Sequence, residues 1–450
     1  MTTHYDLIVI GSGTAGTTAA HACAKEGWRV AVVDNLPFGG TCVLRGCDPK
    51  KILRRGAEII DSASLLTSKG IDPGTLRVDW PALMAHKRGF TEPMSDKIEE
   101  GLESAGVTTL HGRASFTAPD RLTVDGDTLT ASHVLIATGA RPKSMPFEGS
   151  EHMIDSTPFM ELEELPKRIL FVGGGFISFE FAHIAARVGS DVTIATHGPR
   201  LLKGFDPDLV DLLRTRSTDL GIDIRTGTAI NSIVPTGSGF AVVTEKDGKE
   251  STLEVDLVVH GAGREPDLAD LNLEAASVEH SKAGVTVSEH LQSVSNPAVY
   301  AAGDAAASPG MPLTPVASME GGVAARNMLK GTREAPDFTG IPTAVFTIPE
   351  LVRVGMLEEE AREQGLDVDV RYNDTSEWFS NYRLGETVAA TKIIVDRETR
   401  RILGAHMLGP EYAEVVNIIA LAMRLGLTVD EVSNLVAAYP SVGSDLGSML

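Results

Sequence analysis

The chain has 450 residues, 42% of them hydrophobic, and a formal net charge of −21. That length predicts about two to four domains with substantial cores, and the acidic balance excludes a general nucleic-acid or anionic-membrane surface. The amino terminus enters an apolar run without a basic leader, no stretch approaches the ~18 apolar residues of a membrane span, and three cysteines make no secreted disulfide scaffold. A cytoplasmic protein without nucleic-acid or membrane partners is expected.

Residues 5–10 (YDLIVI) predict a β-strand. Gly11, Gly13 and Gly16 follow in GxGxxG spacing, then a helix of small residues, then RVAVVD, a second strand ending at Asp34, 18 residues beyond Gly16. Glycines so spaced permit a tight turn, close approach of a pyrophosphate and close helix packing; the terminal acid accepts from ribose hydroxyls. Cys23, mid-helix, reads as a core residue. GGTCVLRGCDPKK (residues 39–51) comes next, and HVLIATGARP (133–142) predicts a buried strand ending in a glycine turn.

The first unit recurs at residues 168–197, with Gly173 and Gly175 in the first two glycine positions and the small Ser178 in the third. Two dinucleotide folds predict two cofactors, with a hydride or electrons passing between them. DLVVHGAGREP (256–266) parallels the 133–142 stretch, and PAVYAAGDAA runs a strand into Gly303-Asp304. Thr314 is expected as a helix N-cap with Pro315 at the first helical position. From about residue 338 the texture changes to a β-hairpin (TKIIVDRETRRILGAHMLG) and an apolar helix (VVNIIALAMRLG), an α+β domain with apolar surface suited to an oligomer interface.

These stretches, with GGGFISFE, GAGREP, YAAGD and IPTAVFTIPE in this order, resemble the pyridine nucleotide-disulfide oxidoreductases, the family of glutathione reductase, dihydrolipoamide dehydrogenase and mercuric reductase. The resemblance covers nearly the whole chain. It implies an α/β fold with two Rossmann-like dinucleotide-binding domains plus a C-terminal α+β dimerisation domain. The expected bounds are 1–145 with 268–335 for FAD, 146–267 for NAD(P)H and 336–450 for dimerisation. It further implies a homodimer with an active site shared across it, and no metal.

Carried onto this sequence, the resemblance gives Gly11, Gly13, Gly16, Asp34, Gly40, Thr41, Thr138, Gly139, Asp304 and Thr314 to FAD. The helix opening at Thr314 is expected to aim at the flavin. Cys42 and Cys47 become the redox couple, Cys47 against the flavin as the charge-transfer thiolate and Cys42 as the interchange thiol. Residues five apart lie about 7.5 Å apart along a regular helix, while disulfide Cα atoms sit within about 7 Å, so this bridge needs a distorted turn. Gly46 lowers the cost of that distortion, and a constrained bridge is the more easily reduced. Lys51 and Glu180 are implied as a pair near flavin N5.

Gly173, Gly175, Phe176, His197, Arg200, Lys203, Gly263 and Arg264 are expected at the nicotinamide nucleotide, Phe176 as an aromatic gate. Counting 23 residues on from Gly173, as from Gly11 to Asp34, lands on Thr196 rather than an acid. Cations follow it, which favours a 2′-phosphate and hence NADPH, with NADH the alternative.

The family's histidine–glutamate base pair is absent. Tyr439 takes the histidine position and Ser444 the glutamate position; Asp445 is one residue late, and no histidine follows His406. An ordinary tyrosine titrates near ~10, so Tyr439 donates a hydrogen bond but shuttles protons poorly. The end, SDLGSML, carries no cysteine pair for mercury. The expected function is electron transfer from NADPH through flavin and Cys42–Cys47 to a small disulfide or other thiol-reactive acceptor. The alternatives are a metal-ion or quinone reductase, a dihydrolipoamide dehydrogenase-like enzyme, and a non-enzymatic flavoprotein assembly subunit.

Overall fold

β1, Thr3–Ile10, is buried on both faces through its second half, as strands in parallel sheets are. It opens the first of two compact units in a computed structural model that describes residues 3–450. This unit comprises Met1–Lys50, Ala85–Lys143 and Arg264–Phe338. Helix α1, Thr14–Lys25, returns the chain to β2, Val30–Asp34, which pairs in parallel with β1. On its other side β1 pairs in parallel with the ten-residue strand Asp127–Ile136.

That long strand changes partner along its length. Its first half takes the antiparallel strand Arg121–Val124, and its last three residues take Val299–Ala301 in parallel. β1, Asp127–Ile136 and Val299–Ala301 therefore end side by side, running into Gly11, into Ala137-Thr138-Gly139 and into Gly303-Asp304. The carboxyl ends of parallel strands are where open α/β sheets bind ligands. Alternation supplies the two faces: Leu7 and Val9 pack with α1 and helix Thr314–Lys330, while Ile8 and Ile10 pack with Ala31, Val134 and Val299.

The second unit comprises Lys51–Met84, Ser144–Gly263 and Thr339–Leu450; residues 51–84, expected in the first domain, pack here. Its parallel sheet runs Asp223–Thr226, Asp191–Thr196, Arg168–Val172, Leu257–His260, with helix Phe176–Val188 following the second glycine loop. A separate five-stranded antiparallel sheet includes the expected hairpin, Ala390–Asp396 with Ile402–Gly409. Helix Tyr412–Leu425 buries Val415, Val416 and Ile419 on that sheet and leaves Leu421 and Leu425 exposed.

Candidate active site

In the first unit the glycine loop is tied to its surroundings by one carboxylate. Asp34 accepts from the Ser12 amide at 2.8 Å, the Ser12 hydroxyl at 2.6 Å and the Leu36 amide at 2.9 Å. Ser12 Oγ in turn accepts from the Gly39 amide at 2.9 Å, so loop, strand end and the start of the cysteine segment share one network. Gly40, at φ +70°, stands so close that a Cβ there would fall 2.5 Å from the Gly13 Cα. Thr41 follows it into helix α2, Gly40–Arg45. Across the loop, Thr138 Oγ1 is buried without a hydrogen-bond partner beside Gly139, which fits a bound group that supplies one.

Asp304 lies in the short turn Gly303–Ala305; burial pushes its carboxyl up and the Arg264 guanidinium draws it down. The turn is held by a residue that sequence reasoning missed. Glu320, 1% exposed, accepts from the Gly303 amide at 2.7 Å and from the Ser308 hydroxyl. A glutamate among the small and apolar residues in the first half of helix Thr314–Lys330 was its one available signal.

Arg264, expected at the nicotinamide nucleotide, lies in the first unit and acts on the Asp304 carboxyl. Strand Arg264–Pro266 pairs antiparallel with Ala140–Pro142, and the guanidinium donates to the Ala140 carbonyl. Gly263 belongs to the second unit, so the chain leaves that unit between the two residues.

The cysteine segment breaks where distortion was expected. α2 stops at Gly46 (φ −147°, ψ −115°), and helix α3, Cys47–Leu65, starts at the next residue. A Cβ on residue 46 would meet the Thr41 carbonyl oxygen at 2.8 Å, so a side chain there would push the turn apart. Across this break Cys42 is hydrogen-bonded to Cys47. Thr314, expected as N-cap, is the first helical residue instead, and Leu313 is the N-cap. The Thr314 hydroxyl is engaged elsewhere, donating to Cys42. The Cys47 hydrogen bond and burial push the Cys42 thiol up, and Thr314 draws it down. Cys23 is fully buried in the core, its thiol pushed up to about 12 by burial.

In the second unit Gly173 and Gly175 precede helix Phe176–Val188, and Phe176 is 50% exposed at its first position, which removes simple core packing as its role. The loop after strand Asp191–Thr196 is anchored by buried Leu201 and Leu202, the Leu202 amide donating to the Gly174 carbonyl at 2.8 Å. This brings His197, Arg200 and Lys203, all exposed, to the rim of the glycine loop. Arg200 lies 3.6 Å from Glu359.

Lys51 and Glu180 gather around Phe346. The Lys51 ammonium lies 3.7 Å from the centre of that ring and 3.6 Å from Glu350. Glu180, 2% exposed, accepts from the Phe346 amide at 2.7 Å. Arg54 donates to the Phe346 and Thr347 carbonyls, both at 2.8 Å, and lies 3.3 Å from Glu350. Phe346, Arg54 and Glu350 carried no sequence signal for this cluster beyond the IPTAVFTIPE match. Tyr439 is 84% exposed; Ser444 bonds within its own turn to Ser441, and Asp445 accepts from Ser380. Within this chain neither takes the place of a carboxylate behind Tyr439.

A family profile described as pyridine nucleotide-disulphide oxidoreductase matches residues 5–321, and one described as the dimerisation domain of that family matches residues 341–449. A mercuric reductase of Staphylococcus aureus is 32% identical over 446 residues, covering 98% of this chain and 81% of that protein. A dihydrolipoyl dehydrogenase of Halobacterium salinarum is 32% identical over 454 residues, covering 98% and 94%. Among solved structures, the Cu(II) complex of the HOCl-induced flavoprotein disulfide reductase of Escherichia coli is similar at a TM-score of 0.88 and 28% identity, over 100% of this chain and 99% of that one. Among the described residues, no helix is long and apolar enough to cross a membrane.

Proposed function

The chain belongs to the pyridine nucleotide-disulphide oxidoreductases, and from that premise we propose that it carries electrons from NADPH through FAD and the Cys42–Cys47 couple to a small disulfide or another thiol-reactive acceptor. It is an enzyme of the flavin-dependent disulfide oxidoreductase kind, an FAD-binding homodimer that uses a pyridine nucleotide. NADPH and the acceptor class are our reading, as are the residue roles and the three-domain division at residues 1–145 with 268–335, 146–267 and 336–450.

The observation that carries the reading is the hydrogen bond between Cys42 and Cys47 across the Gly46 break, with Thr314 directed at Cys42. The first glycine loop with Asp34, Thr138 and Asp304 would hold FAD, which would supply two-electron transfer between a nicotinamide and the cysteine disulfide. Cys42 and Cys47 lose their protons as a coupled pair, and the family resemblance makes Cys47 the resting thiolate. Cys42 Sγ, once deprotonated, attacks one sulfur of the acceptor disulfide, and the other sulfur leaves and takes a proton. Cys47 Sγ then attacks Cys42, the bridge reforms, and the second acceptor thiol departs. Lys51 supplies positive charge, and Glu180 fixes the Phe346 segment over which Lys51 lies. The exposed His197, Arg200 and Lys203 support a 2′-phosphate and so NADPH.

The test is anaerobic. NADPH is expected to reduce the bound flavin faster than NADH and to yield a long-wavelength band that Cys47→Ser abolishes. Cys42→Ser keeps the band while disulfide turnover falls on the order of 1,000-fold or more, the scale for loss of a nucleophile. An intact band in Cys47→Ser, or equal disulfide turnover in Cys42→Ser, sinks the assignment.

One observation favours a second reading, reduction of a thiophilic metal ion. Tyr439 stands exposed where the family resemblance puts a base, and Asp445 is committed to Ser380. A metal held by two thiolates needs no proton returned to a leaving thiol. The Staphylococcus relative is named a mercuric reductase, and the Escherichia structure is a Cu(II) complex. Tyr439→Phe separates the readings: it slows disulfide turnover and leaves metal-ion turnover unchanged.

A further inference from the structure

The loop that carries the cysteines holds a cation that the redox couple does not use. Arg45 ends α2, four residues after Thr41, and α2 is seated against the first glycine loop through Gly40 and Gly13. Helical side chains lean toward the N-terminus of their helix, which directs this guanidinium back toward that loop and away from Gly46. Arg45 is partly buried, yet among the described residues no protein group takes a hydrogen bond or ion pair from it. It feels both the Asp34 carboxylate and the Arg264 guanidinium. Arg264 is pinned to the Ala140 carbonyl and feels Asp304.

The four charges thus form a series, Asp34, Arg45, Arg264, Asp304. Its ends are the two acids expected at the adenosine ribose and at the ribityl chain of FAD. In FAD the group between ribose and ribityl chain is the diphosphate, a dianion. Two neighbouring cations repel each other in a half-buried site unless an anion lies between them, and guanidinium is the side chain that holds phosphate oxygens in a fork.

We propose that Arg45, together with Arg264, clamps the diphosphate of the bound dinucleotide, making the residue between the two cysteines a cofactor-binding residue. This rests on the FAD reading above. Arg45 joins the couple to the cofactor mechanically: the helix that carries Cys42 at its centre is tied to the diphosphate at its end.

The experiment follows FAD release from the holoenzyme by the rise of flavin fluorescence on dilution, and FAD titration of the deflavinated full chain, for wild type, Arg45→Met and Arg45→Lys. Loss of a charge-assisted contact predicts a dissociation constant about 10- to 100-fold higher in Arg45→Met. Arg45→Lys recovers the larger part. Added salt weakens wild-type binding more steeply than it weakens Arg45→Met, because one phosphate contact is already gone. The deflavinated Arg45→Met chain melts no lower than deflavinated wild type, since the cation has no hydrogen-bonded protein partner to lose. Wild-type affinity and salt dependence in Arg45→Met overturn the clamp. So does a fall in melting temperature as large without FAD as with it, which marks a structural role. Failure of the wild-type chain to take up FAD would instead strike the reading on which the clamp rests.

Discussion

The two glycine loops are crowded at the third fingerprint position by different neighbours. In the first, the helix gives up its side chain: a Cβ on Gly16 would lie 2.0 Å from the Gly11 carbonyl oxygen. The neighbouring strand end keeps a methyl group at Ala137. In the second, the helix keeps Ser178 and the strand end gives way at Gly261, where a Cβ would lie 2.1 Å from the Ser178 hydroxyl oxygen. The third position of GxGxxG thus meets different neighbours in the two loops, the loop's own carbonyl at Gly16 and the adjacent strand end at Ser178. Ser178 departs from the fingerprint because Gly261 makes room for it.

The largest expected effect breaks that pairing. Gly261→Ala forces a methyl group onto Ser178 and costs about 3 kcal/mol, at the upper end for overpacking. Gly261→Ala with Ser178→Gly removes the side chain that the new methyl group would meet and recovers most of the loss. Urea denaturation of the four proteins in the cycle measures the coupling. If the double variant is as unstable as the sum of the single ones, the two positions do not share the space.

The loops differ again at the end of the second strand, and here the effect is on ligand choice. Asp34 is held by Ser12 and Leu36 as a fixed acceptor, whereas Thr196 carries no charge and exposed cations follow it. Arg200→Glu with Lys203→Glu is expected to lower kcat/KM for NADPH about 100-fold, the worth of one to two charged hydrogen bonds. Turnover with NADH changes far less. Equal losses with both nucleotides mark the two cations as general anchors and leave the comparison of strand ends without consequence for specificity.

What was legible followed from local spacing. β1, α1 and β2, the repeat at residues 168–197, the hairpin and helix after residue 390 and the break at Gly46 each declare themselves within about thirty residues of chain. Residues whose work depends on distant partners did not. Glu320 reaches back 17 positions to Gly303, and Arg45 acquires meaning only beside Asp34 and Arg264. Arg264 adjoins Gly263 in the chain, but its strand pairs with residues 140–142, a partner that adjacency does not reveal. Arg54 and Glu350 converge on Phe346 and Lys51 from segments nearly 300 residues apart.

The smallest expected effect tests whether Ser178 is more than a spacer. Its hydroxyl oxygen is fully buried and has no hydrogen-bond partner in the protein, and a buried polar group left unsatisfied costs stability. If the hydroxyl only fills the space beside Gly261, Ser178→Ala raises stability by about 1 kcal/mol and leaves KM for the nicotinamide nucleotide unchanged. If instead the hydroxyl reaches bound nucleotide when the loop closes on it, the same substitution raises KM while the melting temperature of the nucleotide-free protein still goes up. Its burial beneath the helix favours the first outcome, in which the second loop differs from the first in how it packs and not in what its third position binds.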